Sequence, residues 1–103
     1  MAIEMCGYMF DGPYTQVDYL RRQGGIYVIL DKRGDGRWWV IDVGESGDIR
    51  ERVECHDRAS CWRFNQQGSL GVAVLYTPNW TADQRRLLES RIREAHSPAC
   101  GVR

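Results

Sequence analysis

Gly25-Ile26-Tyr27-Val28-Ile29-Leu30, then Lys32-Arg33-Gly34-Asp35-Gly36, then Trp38-Trp39-Val40-Ile41-Asp42-Val43 is the stretch on which the fold turns. Both flanks are β-branched and aromatic, and the residues between them carry turn chemistry, so the two runs form a β-hairpin. Strands joined by so tight a turn run antiparallel, which makes the sheet at least partly antiparallel.

Toward the C-terminus, Ser46 or Gly47 opens a helix running to about Asp57, with Asp48 in its first turn where the helix dipole favours an acid. Arg52 and His56 then stand one turn apart on one face, beside an apolar stripe of Ile49 and Val53. A loop carrying Cys61, Trp62 and Phe64 follows. Gly71-Val72-Ala73-Val74-Leu75-Tyr76 is a third strand, ended by Thr77-Pro78-Asn79. Thr81 and Gln84 form a capping box, and Leu88, Ile92 and Ala95 recur at helical spacing until Pro98 and Gly101 stop the helix.

Toward the N-terminus the pattern fades. Residues 1–23 read as an irregular segment covering an edge or a face of the core, with a turn at Asp11-Gly12-Pro13-Tyr14 and one or two helical turns from Val17 to Arg22. The expectation is one α/β domain of the α+β type spanning residues 1–103. A small three-stranded sheet flanked by helices forms its core at 24–101.

Apolar residues make up 43% of the chain, with four Trp and five Tyr, which places it among folded globules rather than disordered tails. Apolar runs are only strand length, and Glu4 falls where a signal peptide needs basic and then greasy residues, so neither a membrane span nor a leader is expected and the cytoplasm is the expected location. In that setting Cys6, Cys55, Cys61 and Cys100, which make no C-x-x-C, read as reduced thiols. A zinc site from Cys55, His56, Cys61 and Cys100 has the wrong spacing for the common classes. Formal charge is zero, which excludes a broad cationic field holding duplex nucleic acid; any such binding is local. Thirteen of the fourteen basic residues are Arg, whose planar fork suits phosphate.

In chain order, Gly25-Ile26-Tyr27 opens a strand, Asp42-Val43-Gly44 closes the next, Arg52 and His56 lie on the following helix, and Glu89 lies on the last helix ahead of a proline turn. This arrangement resembles the GIY-YIG endonucleases over roughly residues 24–101. The resemblance implies a divalent-metal-dependent endonuclease that hydrolyses phosphodiesters in DNA, or less readily RNA. Tyr27 would then help to activate water as general base, and Arg52 would clamp the phosphate and stabilise the transition state. Glu89 would be the one protein ligand of Mg²⁺ or Mn²⁺, and His56 would orient water or the tyrosine hydroxyl.

Each residue also has a structural reading. Tyr27 can be a core strand aromatic, and Arg52 and Glu89 solvated helix residues, with Arg85 and Arg93 four positions either side of Glu89. His56 can simply favour a helix C-terminus. Asp42 stands where the family has its second signature tyrosine. It is either a carboxylate taking a proton or a second metal-directed group near Glu89, or a strand-end residue bound to nearby backbone or Arg52. The family's late asparagine is replaced near Cys100 and Gly101. Arg58, Trp62 and Arg63 suit a base-stacking groove, or Trp62 and Phe64 fill the underside of the sheet. The alternative to a nuclease is an inactive module of the same fold that binds nucleic acid or protein. In either case a neutral monomer binds weakly, and a homodimer or a partner protein supplies affinity.

Overall fold

A computed structural model describes residues 2–101. In chain order the strands are β1 (Ala2–Met5), β2 (Tyr8–Tyr14), β3 (Gly25–Lys32), β4 (Trp38–Ser46) and β5 (Ser69–Tyr76), and the helices are α1 (Ile49–Glu54), α2 (Ala59–Asn65) and α3 (Ala82–His96). The fold is α+β. Its sheet has five strands rather than three, in the order β1-β2-β5-β3-β4, and every neighbouring pair is antiparallel. The segment expected to be irregular is a hairpin laid along β5, followed by a single 3-10 turn at Val17–Tyr19. Its turn is Cys6-Gly7, both at positive φ, the two-residue hairpin geometry whose backbone twist matches that of the strands. The expected turn at residues 11–14 lies within β2, where the register to β5 shifts.

β3 lies between β5 and β4 and is covered on both faces, which is why it reads as an unbroken apolar run instead of alternating. Ile26, Val28 and Leu30 face α3, packing with Phe10, Val43, Leu88 and Ile92. Tyr27 and Ile29 face the opposite way, toward Leu20, Ile41, Ile49, Trp62 and Val74. Each such aliphatic side chain contributes roughly 1.5–3 kcal/mol on burial, so the two faces fix the register firmly.

One irregularity matters for the site. Ile29 pairs with Asp42 and Leu30 with Val40, which leaves Ile41 as an extra residue, a β-bulge. The bulge turns Ile41 and Asp42 to the same side, that of α2, where simple alternation would have separated them.

The helix after β4 is shorter than its sequence pattern suggests. Asp48 is its N-cap, accepting from the Glu51 N–H at 3.1 Å, and the helix stops at Glu54 as Cys55 leaves helical geometry. His56 therefore lies in the α1–α2 connection and not on the helix face carrying Arg52. The loop expected after it contains α2. The cysteines also correct the expectation of reduced thiols: Cys61 on α2 and Cys100 beyond α3 form a disulfide with Cα atoms 6.0 Å apart, while Cys6 and Cys55 are free. The same terminal segment closes the outer edge of β4, where the Cys100 N–H donates to the Ile41 carbonyl at 2.9 Å and the Arg93 guanidinium to the Val43 carbonyl. Among the described residues no helix is long and apolar enough to cross a membrane.

Candidate functional site

Tyr27 sits at the middle of β3 opposite Gly44 of β4, on the face covered by α1 and α2. Its ring lies directly over Gly44, in space that any side chain at that position would occupy. Gly25 has a comparable reason, since a Cβ there would run into the Leu75 carbonyl of β5. Both signature glycines are thus explained by close approach of backbone or ring.

The Tyr27 hydroxyl is 2.5 Å from His56 Nε2, and the Arg52 guanidinium stands near enough for its charge to pull the phenol's pKa down. The imidazole stands edge-on to the Tyr27 ring and packs on Trp62 at 4.5 Å between centroids. His56 Nδ1 accepts from the Arg58 N–H at 3.0 Å, which assigns the neutral ring its proton on Nε2. Nε2–H therefore donates to the phenol oxygen, and the phenol's own hydrogen is turned away from the imidazole. Tyr27 is 1% exposed, and the His56 side chain is fully covered.

Burial governs both groups. It raises the phenol to about 12 against the opposing pull of Arg52 and Arg58. It lowers the imidazole to about 4, and there the two guanidinium charges act in the same direction. At neutral pH both are uncharged.

Asp42 is fully buried and saturated with donors. Its carboxylate accepts from Arg58 Nε at 2.8 Å and Nη2 at 3.2 Å, Arg93 Nη2 at 2.7 Å, Trp62 Nε1 at 2.7 Å and the Val43 N–H at 2.8 Å. Burial opposes the Arg58 charge, but the hydrogen bond and charge of Asp42 outweigh it and raise the Arg58 pKa. Asp42 is the hub of an ion network that ties β4 to α2 and α3. Arg52 is not among its partners. Glu89 joins through Arg93, whose Nε donates to Glu89 Oε2 at 3.1 Å while Nη2 holds Asp42. Arg85, the other basic neighbour of Glu89 on the helix, pairs instead with Glu45 at 2.8 Å.

The structure accordingly brings Tyr27, Arg52 and His56 to one point and sets Asp42 behind them. Glu89 lies on α3, the helix packed against the opposite face of the sheet from Tyr27, and is linked to Asp42 through the Arg93 guanidinium. Trp62 belongs to this core, whereas Phe64 is 88% exposed and does not fill the underside of the sheet. Cys61 and Cys100 are bonded to each other and His56 to Tyr27, so the zinc set does not assemble. Sequence offers Arg58 as a groove residue and Arg93 as a helix neighbour of Glu89, but not their shared bond to Asp42, because that carboxylate lies on another element. Comparisons with protein-family models, curated proteins and solved structures give no match.

Proposed function

We propose that this chain is a divalent-metal-dependent endonuclease-like hydrolase of phosphodiesters, acting on DNA and less readily on RNA, of the GIY-YIG type. The observation that carries this reading is the meeting of a phenol, an imidazole and a guanidinium at the Tyr27 oxygen. Arg52 is the phosphate clamp and the group that meets negative charge growing in the transition state. Tyr27 is the proton acceptor, with its oxygen held for that duty by His56 Nε2–H and Arg52. With its pKa at about 12, Tyr27 at neutral pH is almost wholly the neutral phenol and not the phenolate that takes a proton, so catalysis requires the site to open and admit water, which lowers that value.

Glu89 is the residue that would hold the metal. Among the described residues no group of three or more His, Cys, Asp or Glu stands together as a ready cage. The donors on offer fit a hard ion held by one carboxylate and otherwise by water and substrate oxygens, with Glu89 sharing its charge with Arg93. Bound there, Mg²⁺ or Mn²⁺ supplies Lewis-acid stabilisation of the leaving oxygen. Asp42, saturated by its donors, positions Arg58 and Trp62 around His56. We place the protein in the cytoplasm, with a second copy or a partner protein adding affinity that its zero net charge does not supply.

The test is incubation of purified protein with supercoiled, linear and branched DNA and with RNA, in Mg²⁺, Mn²⁺ or chelator, beside Arg52→Ala and Glu89→Ala. Metal-dependent cleavage lost in both variants is expected. Cleavage that survives in both removes this site from the reaction. The five hydrogen bonds that enclose Asp42 and the covered phenol favour a second reading, an inactive module that binds nucleic acid or protein; oligonucleotide binding without cleavage of any substrate supports it.

A further inference from the structure

We infer that the outward face of the Arg52 guanidinium is a phosphate-oxyanion site which the chain itself fills, with the Asp57 carboxylate standing where a substrate phosphate oxygen binds. The inference rests on the hydrolase reading for the identity of the anion as a phosphodiester; the site itself rests on geometry alone.

Arg52 Nη2 lies 3.0 Å from Asp57 Oδ1, and that same oxygen is 3.4 Å from His56 Nδ1. A guanidinium fork asks the same of a carboxylate and of a phosphate, namely two accepting oxygens in one plane. The other ion pair of the site is not exchangeable in this way, because Asp42 is fully buried beneath Arg58 and Arg93. Arg52 and Asp57 are different. Their side chains are 35% and 72% exposed, so water already reaches the pair and an incoming anion can take the carboxylate's place. Exposed pairs of this kind are weak, which keeps the exchange cheap.

The exchange has a consequence for Tyr27. Gly44 closes the phenol oxygen from one side, His56 from another, and Arg52 is the only partly exposed member of the three. While Asp57 holds it, Arg52 roofs the phenol. A phosphate that replaces Asp57 on Arg52 is seated on the one partly exposed side of the Tyr27 oxygen. Asp57 is thus an intramolecular competitor that keeps the site closed until an oxyanion arrives.

Asp57→Asn removes the competitor and leaves every buried contact in place. Titrations with inorganic phosphate, followed by the side-chain Nε–H signal of Arg52 in NMR spectra, and with a short fluorescein-labelled single-stranded oligodeoxynucleotide, followed by anisotropy, read the effect. Asp57→Asn is expected to bind about two- to fivefold more tightly than the unsubstituted protein, the range set by one exposed ion pair. Asp18→Asn, which removes an equally exposed acid paired to Arg50 on the same helix, is the control for bulk charge and should leave the Arg52 response unchanged. Tightening for the oligonucleotide alone assigns the site to a phosphodiester, and tightening for inorganic phosphate alone assigns it to the free ion. Equal tightening in the two variants, or no response of Arg52 to either probe in Asp57→Asn, overturns the inference. Tightening specific to Asp57→Asn without cleavage of any nucleic acid leaves the anion site standing and overturns the hydrolase reading.

Discussion

The phenol of Tyr27 rests on the bare Cα of Gly44 across the β3–β4 ladder, and a methyl group at Gly44 would overlap both the hydroxyl and the ring carbons. Neither strand can yield easily, since β3 is paired on both sides and covered on both faces. Gly44→Ala is therefore expected to destabilise the fold by about 1–3 kcal/mol and to push the phenol off His56. Urea unfolding measures the first and the near-ultraviolet tyrosine signal the second. An alanine variant as stable as its parent, with that signal unchanged, would mean that the ring does not lie where described.

Asp42 is buried on β4 and works as a structural anion. Removing it takes a carboxylate from both Arg58 and Arg93, the latter 7% exposed and left with Glu89. Breaking a buried pair from one side costs about 3–5 kcal/mol, and Asp42→Ala is expected to fall there. Asp42→Asn keeps the shape and loses the charge, so it should cost less. Asp42→Tyr should behave as badly as alanine, because no open space awaits a ring. If Asp42→Tyr is instead stable and more active in cleavage, the anchoring role assigned here is wrong.

His56 and Tyr27 give stability a dome in pH. The folded imidazole titrates near 4, below its ordinary 6.5, so between those values the unfolded chain binds a proton that the folded chain refuses. The contribution is complete above pH 6.5 and drains away as pH falls, reaching about 3 kcal/mol lost by pH 4. Tyr27 acts with the opposite sign. Its folded value of about 12 lies above the ordinary 10, so its contribution is whole below pH 10 and is lost as pH rises toward 12. Denaturant titrations across pH 4–7, compared with His56→Gln, isolate the acid limb; an identical slope in the variant would show that His56 is not the group responsible.

The sequence and the structure agree most closely where a segment carries its own signal. The Thr81–Gln84 capping box starts α3 as read, and the apolar runs of β3, β4 and β5 are strands. α2 was missed because it lacks both usual signs: Arg58 caps it without a side-chain bond, and its apolar residues split, Trp62 inward and Phe64 outward. The N-terminal hairpin hides behind a Cys6-Gly7 turn that has none of the asparagine or aspartate usually marking such geometry. At the site, Tyr27, Arg52 and His56 lie together, whereas Glu89, expected with them, pairs with Arg93 on the helix packed against the other face. The clamp on Asp42 is not legible in the sequence, because it depends on a bulge and on two arginines delivered by separate helices, neither of which leaves a periodic trace.

The Cys61–Cys100 disulfide and the proposed cytoplasmic location pull against one another, since reducing compartments keep such pairs as thiols. The crosslink spans 39 residues and ties α2, which supplies Trp62, to the segment that closes the β4 edge. Loop-closure entropy for a ring of that size gives about 2–4 kcal/mol of stabilisation. Cys61→Ala or added reductant should therefore lower stability by that amount while leaving a folded chain, because the Arg93 bonds to Asp42 and to the Cys100 carbonyl hold the same segment without the sulfurs. Alkylation of free thiols in intact cells before lysis, followed by mass spectrometry of the peptides carrying residues 61 and 100, decides the compartment question. Quantitative trapping of both thiols places the working protein in its reduced form. Protection of both from alkylation places it in an oxidising setting and overturns the cytoplasmic assignment.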